Sequence, residues 1–232
     1  TAEHGGNAKM SSYLQSSYFV EKSRLVNPFS MRVMLEATKS YQKVSLVFNY
    51  RHSYRGKNNE LDIKFYTGTI LRNSSQIPFY GIAAGGRSGS EQYLYDGTYP
   101  DRFTPFAKTF LSRQVMFSEG GLVSPVNQSL GYSNRLVSFS LASSLPGKAG
   151  RIPIKPFINL LFNDHGFDTN NNSPVFFEAG LKAGLWNIFE IYVAFLVSAN
   201  IESVSSSLKE RIRITLNLDL SNQLKMKFGS VK

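Results

Sequence analysis

Near the C-terminus, Ile212, Ile214, Leu216, Leu218 and Leu220 alternate with Arg211, Arg213, Thr215, Asn217 and Asp219. A strict period of two is the signature of a β-strand, whose successive side chains point to opposite faces. The run covers about ten residues, the length a tilted strand needs to cross the hydrocarbon of a bilayer and more than the usual five or six of a soluble strand. In a membrane barrel the aliphatic face meets lipid and the charged face looks inward; in a soluble sandwich the aliphatic face is the core.

The same alternation recurs along the chain. Phe29, Met31, Val33, Leu35 and Ala37 lie opposite Ser30, Arg32, Met34, Glu36 and Thr38. Val44, Leu46, Phe48 and Tyr50 oppose Lys43, Ser45, Asn49 and Arg51, and after the polar RGKNNE linker Leu61, Ile63 and Phe65 oppose Asp62 and Lys64. A further strand is expected within Ile77 to Gly86, a short one around Arg113 to Ser118, and one through Val137, Phe139 and Leu141, before PGKAGR turns the chain into Ile154 to Phe162. Phe177, Ala179, Leu181, Ala183 and Leu185 oppose Glu178, Gly180, Lys182 and Gly184, and the short stretch Trp186-Asn187 with Ile188 leads to Phe189, Ile191, Val193, Phe195 and Val197, which reads as a tight hairpin. No helical period of 3.6 persists.

These patterns predict an all-β fold, an antiparallel transmembrane outer-membrane β-barrel of about 10 strands, an even number when both termini share a side. Twelve is the alternative, if Gln15 to Leu25 and the tail with Leu224, Met226 and Phe228 join it. Residues 1–14 read as a flexible lead-in, 15–228 as one barrel domain with a long loop at about 87–111, and 229–232 as a tail. Loops of that length usually have a function or cover something. With NDHGFDTNNNSP (Asn163 to Pro174) and the Ser-rich stretch Asn200 to Ser207 outside, Trp186-Asn187 and PGKAGR become periplasmic turns.

Composition narrows the alternatives. The chain has 232 residues, 18 Phe and 12 Tyr against 1 Trp, and no cysteine, which excludes a disulfide framework and any cysteine–zinc or cysteine-nucleophile chemistry. The best apolar run, Gly184 to Val197, is too short for a transmembrane helix and is broken by Asn187 and Glu190. The formal net charge is +10, but the basic residues are scattered through strand-like runs rather than gathered on one face, which argues against nucleic acid. The first residues, TAEHGGNAKM, resemble neither a secretory signal nor a lipidation site, so the chain reads as a mature product or as the C-terminal part of something larger.

Candidate chemistry is sparse. His4, His52 and His165 are not at ligand spacing from one another, HExxH and GxSxG are absent, and Gly86-Arg87-Ser88-Gly89 reads as a turn. Asp164-His165 is the one local pair that could serve a rim-active hydrolase, and its loop composition favours a solvated turn. Asp96, Asp101 and Arg102 suit salt bridges that pin the long loop. No catalytic, cofactor or metal residue is assigned and no cofactor is expected.

Glu91-Gln92-Tyr93-Leu94-Tyr95-Asp96, Arg102, Leu111-Ser112-Arg113-Gln114 and Glu119-Gly120-Gly121-Leu122, with Gly180 to Leu220, together resemble the C-terminal region of Bacteroidota aminopeptidase-N-like (gluzincin) metallopeptidases, over about the last 140 residues. The resemblance implies a β-rich, barrel-forming region that follows a peptidase domain. The zinc-binding HExxH of that family and its downstream Glu are absent here, so no catalytic residue carries over.

The expected function is that of a non-enzymatic barrel in the bacterial outer membrane, anchoring or scaffolding a larger protein or complex. Its expected partners are outer-membrane lipid and lipopolysaccharide, and other subunits or an N-terminal peptidase-like domain. A small-solute channel is the alternative and a rim-active hydrolase the second. Phe189, Ile191, Val193, Phe195, Ile212, Ile214, Leu216 and Leu218 are expected to face lipid. Arg32, Glu36, Lys43, Arg51, Asp62, Lys64, Glu178, Lys182, Glu190, Arg211, Arg213 and Asp219 are expected inside, pairing across strands because an unpaired charge is costly there. Arg213 is expected within reach of an acid such as Glu190.

Overall fold

The computed structural model describes residues 13–24, 26–39, 41–54, 59–73, 82–84, 120–124, 126, 132–164, 174–185 and 189–216. Alternating aliphatic, aromatic and β-branched residues build nine long strands: β1 (Tyr13–Lys22), β2 (Phe29–Thr38), β3 (Tyr41–Ser53), β4 (Glu60–Asn73), β7 (Arg135–Ser143), β8 (Ile154–Asn163), β9 (Val175–Leu185), β10 (Phe189–Val197) and β11 (Ile212–Leu216). The two-residue strands β5 (Ile82–Ala83) and β6 (Tyr132–Ser133) form a separate small ladder. The nine form a single antiparallel sheet in the order β1-β2-β3-β4-β7-β8-β9-β10-β11, each paired with its neighbour along the chain.

Turn chemistry fixes the hairpins. Asn27 takes the left-handed conformation (φ 54°) that asparagine tolerates better than most residues. Its Oδ1 accepts the Ser53 backbone N–H at 2.8 Å, tying the β1–β2 turn to the end of β3. Successive reversals place the connections β1–β2, β3–β4, β7–β8 and β9–β10 at one end, here called the short-turn end. The β4–β7, β8–β9 and β10–β11 connections gather at the other, the long-loop end, together with the short β2–β3 turn.

Residues paired directly across strands share a face, so the register shows what each face carries. On one face Val20, Met31, Phe48, Phe65, Phe139, Leu160 and Phe177 form an unbroken apolar row over seven strands. On the other, Glu21, Ser30, Asn49, Lys64, Ser140, Asn159 and Glu178 form an equally unbroken polar row. Exposure is inverted relative to a soluble core. Large apolar side chains on the first face, among them Phe139, Ile158, Phe162 and Leu181, are exposed, while Glu36, Lys43, Asn159 and Glu178 on the second are buried.

The sheet is strongly curled, because residues of β1, β2, β3, β4, β7, β8, β9 and β10 line one cavity on its polar side. It does not close among the described residues: β1 and β11 are its two edges. Both edges run toward the short-turn end, so they could meet directly only in parallel.

Other expectations also change. β1 begins at Tyr13, so the sheet already includes the end of the expected lead-in. The described part of β11 is five residues, and Arg211 belongs to a 3₁₀ turn, Leu208–Arg211, initiated by a Ser207–Glu210 capping box, instead of to the strand. A β-bulge between Ala194 and Leu196 reverses the alternation in β10. Val197 therefore lies opposite Glu178, on the polar side, rather than on the face of Phe189, Ile191 and Val193. Of the expected strand Ile77 to Gly86, Ile82–Ala83 is described. The expected strand Arg113 to Ser118, the loop 87–111 with Asp96, Asp101 and Arg102, the tail with Leu224, Met226 and Phe228, and His4, His165, Leu218 and Asp219 lie outside the described residues.

Candidate functional site: the interior of the curled sheet

Segment 120–124 lies against the polar face, and every residue in it is buried. Gly121, at φ +74°, turns the chain there. A Cβ on Gly120 would collide with the Ala84 backbone and the Leu161 side chain, so glycine permits the close packing. The Leu122 N–H donates to the Ala84 carbonyl at 3.3 Å.

Glu178 of β9, 0 % exposed, holds this segment in place. One carboxylate oxygen accepts the Val123 N–H at 2.6 Å and the Asn159 Nδ2–H at 2.6 Å, and the other accepts the Ser124 N–H at 2.9 Å. Asn159 Nδ2 also donates to the Gly121 carbonyl at 3.3 Å. Amides thus provide the donors that satisfy a buried carboxylate.

Above this latch, toward the long-loop end, the interior lined by β4, β7, β8 and β9 is apolar. Tyr66, Ile82, Ala84, Leu122, Leu136, Leu161, Phe176 and Ile201 form one buried cluster. Ile201 comes from α1 (Ala199–Glu202), in the β10–β11 connection. Arg211, buried at the same end, donates to the carbonyls of Ser205 at 2.7 Å, Ser206 at 3.3 Å and Phe195 at 3.5 Å, and lies 3.6 Å from Glu202. Below the latch is a cavity of about 450 Å³, lined by polar and aromatic side chains including Asn49, Arg51, Lys64, Phe157, Lys182 and Tyr192.

The expected interior charges fall into distinct settings. Glu36 and Lys43 face each other across β2 and β3 at 3.3 Å, each side chain 6 % exposed, and Glu36 also accepts the Tyr41 hydroxyl at 3.1 Å. Asp62 takes Arg51 at 2.6 Å and Lys155 at 3.3 Å, and Glu60 joins both bases. Arg32 is exposed near the β1 edge with its guanidinium 5.1 Å from the Phe19 ring. Lys64 and Lys182 line the cavity. Arg213, 4 % exposed, stands opposite Tyr192, whereas the Glu190 carboxylate accepts the hydroxyls of Tyr192 and, at 3.5 Å, Thr215.

By register Phe189, Ile191, Val193, Ile212 and Ile214 share the apolar face, with the Leu216 backbone opposite Phe189. Phe195 is exposed at the bulge. Ile214 is 1 % exposed, so protein covers it at this edge of the sheet. Asp164 is exposed and accepts the Asn134 N–H at 2.9 Å, while His165 beside it lies outside the described residues. The role of segment 120–124 escapes sequence reasoning: Gly120-Gly121 marks a turn but carries no sign of where the turn is packed.

These observations define an all-β antiparallel protein with an inverted distribution of polarity and an inward-folded segment held by a buried carboxylate. The chain matches no protein-family model and no curated protein sequence.

Proposed function

We propose that this chain is a non-enzymatic β-barrel of the bacterial outer membrane, acting as an anchor or scaffold rather than as an open pore. The observation that carries the reading is the apolar row from Val20 to Phe177, whose large side chains are half-buried or, at Phe139, exposed, on the face opposite one that buries Glu36, Lys43, Asn159 and Glu178. Water disfavours a large contiguous apolar surface, whereas hydrocarbon accommodates it. Polar backbone groups at the edges β1 and β11 must be paired inside a bilayer. One more strand running away from the short-turn end would be antiparallel to both edges, giving ten.

The preference for anchor over channel rests on segment 120–124 and the apolar cluster around Leu122, which occupy the interior. A water-filled porin keeps a polar lumen. The resemblance to peptidase C-terminal regions agrees with an anchoring role, with a peptidase-like domain or assembly subunits as partners. The purified protein reconstituted into planar bilayers tests this: little or no conductance is expected, and steady large channels in the unmodified protein would contradict the anchor reading.

A further inference from the structure

We infer that the cavity at the short-turn end is a binding site for a small amphipathic anion, an aromatic carboxylate. Its volume of about 450 Å³ falls in the range of small-molecule sites, which combine apolar walls with a few convergent polar groups. The edge-to-face pair Phe157 and Tyr192, with ring centroids 5.9 Å apart and planes at 72°, lies at its buried wall.

The charge arrangement selects an anion. Lys182 lies directly opposite Lys155 across β8 and β9, a like-charge pairing that weakens a sheet. Lys155 is neutralised by Glu60 and Asp62. Lys182 makes no ion pair among the described residues, and its other neighbour, Tyr192, directs its hydroxyl to Glu190.

Of the acids lining the cavity, Asp62 is paired with Arg51 and Lys155, and Glu21 is solvent-exposed, where it accepts the Ser23 hydroxyl at 2.9 Å. Lys64 adds a second cation, its Nζ within 3.9 Å of where a Cβ on Gly121 would stand. A half-buried ammonium beside aromatic rings and another lysine is an unfavourable arrangement that a bound carboxylate relieves. The inference does not depend on membrane placement, since the cavity is formed by the curled sheet and segment 120–124 alone.

The test is calorimetric titration of the folded full chain, in detergent micelles or in buffer, with 2-naphthoate, 2-naphthalenemethanol and 2-naphthylmethylamine. Saturable binding of 2-naphthoate at one site per chain is expected, roughly tenfold or more tighter than the alcohol, with no saturable binding of the amine. Lys182→Gln should weaken the carboxylate roughly tenfold and Lys182→Arg should largely restore it. Phe139→Ser, on the opposite face, should leave it unchanged. No saturable 2-naphthoate binding, equal binding of the three compounds, or undiminished binding by Lys182→Gln would each overturn the inference. The unmodified protein's preference among the ligands decides the matter even if a variant misfolds.

Discussion

The two halves of the interior are built on the same strands and the same alternation, yet they behave as opposites. Along β9 the inward positions run Phe176, Glu178, Gly180, Lys182, and along β4 they run Ile70, Gly68, Tyr66, Lys64, Asp62. At the long-loop end these side chains belong to or pack against one apolar cluster; at the short-turn end they line a charged cavity. The change falls at Glu178, which binds segment 120–124 between the two halves. Alternation across a strand thus decides inside from outside, whereas composition along a single face decides which part of the inside is sealed.

The sharpest way to break this division is Glu178→Ala. It removes a buried acceptor of three hydrogen bonds and leaves the Val123 and Ser124 amides without it, at an expected loss of about 3–5 kcal/mol by analogy with breaking a buried charged network. Denaturant unfolding in detergent would measure it, and a loss below about 1 kcal/mol, the scale of an ordinary neutral hydrogen bond, would show that segment 120–124 is not latched there.

The outer face offers the next test. Phe139 is 39 % exposed at the middle of β7, between Phe65 and Leu160. Phe139→Arg should cost roughly 2–4 kcal/mol for folding into lipid vesicles if the residue lies near the bilayer midplane. On a water-facing surface the same change falls within about ±0.5 kcal/mol.

The smallest expected effect is at Arg51, seen best beside a second ion pair. Arg51, with its side chain 50 % exposed, bonds Asp62 at the short-turn end, and Arg51→Ala should cost at most about 1 kcal/mol because solvent screens the pair. Lys43→Ala takes the cation from Glu36, leaving it the Tyr41 hydroxyl, in a site where both side chains are 6 % exposed, and should cost about 3–5 kcal/mol. Equal losses measured by thermal unfolding would contradict the contrast in burial.

Much of the sheet was legible in the sequence because period-two alternation is a local property. The hairpin joining β9 and β10 and the inward side of Glu36, Lys43, Arg51 and Asp62 follow from it, whereas which of these charges pair is set by the register between strands. The bulge in β10 was not legible: AFLV is apolar throughout, so nothing in it reveals where the alternation reverses, and Val197 was placed on the wrong face. Glu178 was read as inward, but pairing with a cation was expected and backbone amides hold it instead, a contact between residues more than fifty positions apart. Likewise Arg211 continues the alternation of β11 on paper, yet the Ser207–Glu210 capping box draws it into a turn where carbonyls take its guanidinium.

The central claim is that the apolar row faces lipid and the polar row does not, and bromine quenching of a single tryptophan tests it most directly. In a Trp186→Phe background, tryptophan at Phe139 and, separately, at Ser140, its neighbour on the opposite face, would be reconstituted into bilayers whose acyl chains are brominated near the midplane. Strong quenching at position 139 and weak quenching at position 140 is the predicted result; equal weak quenching at both positions would contradict it.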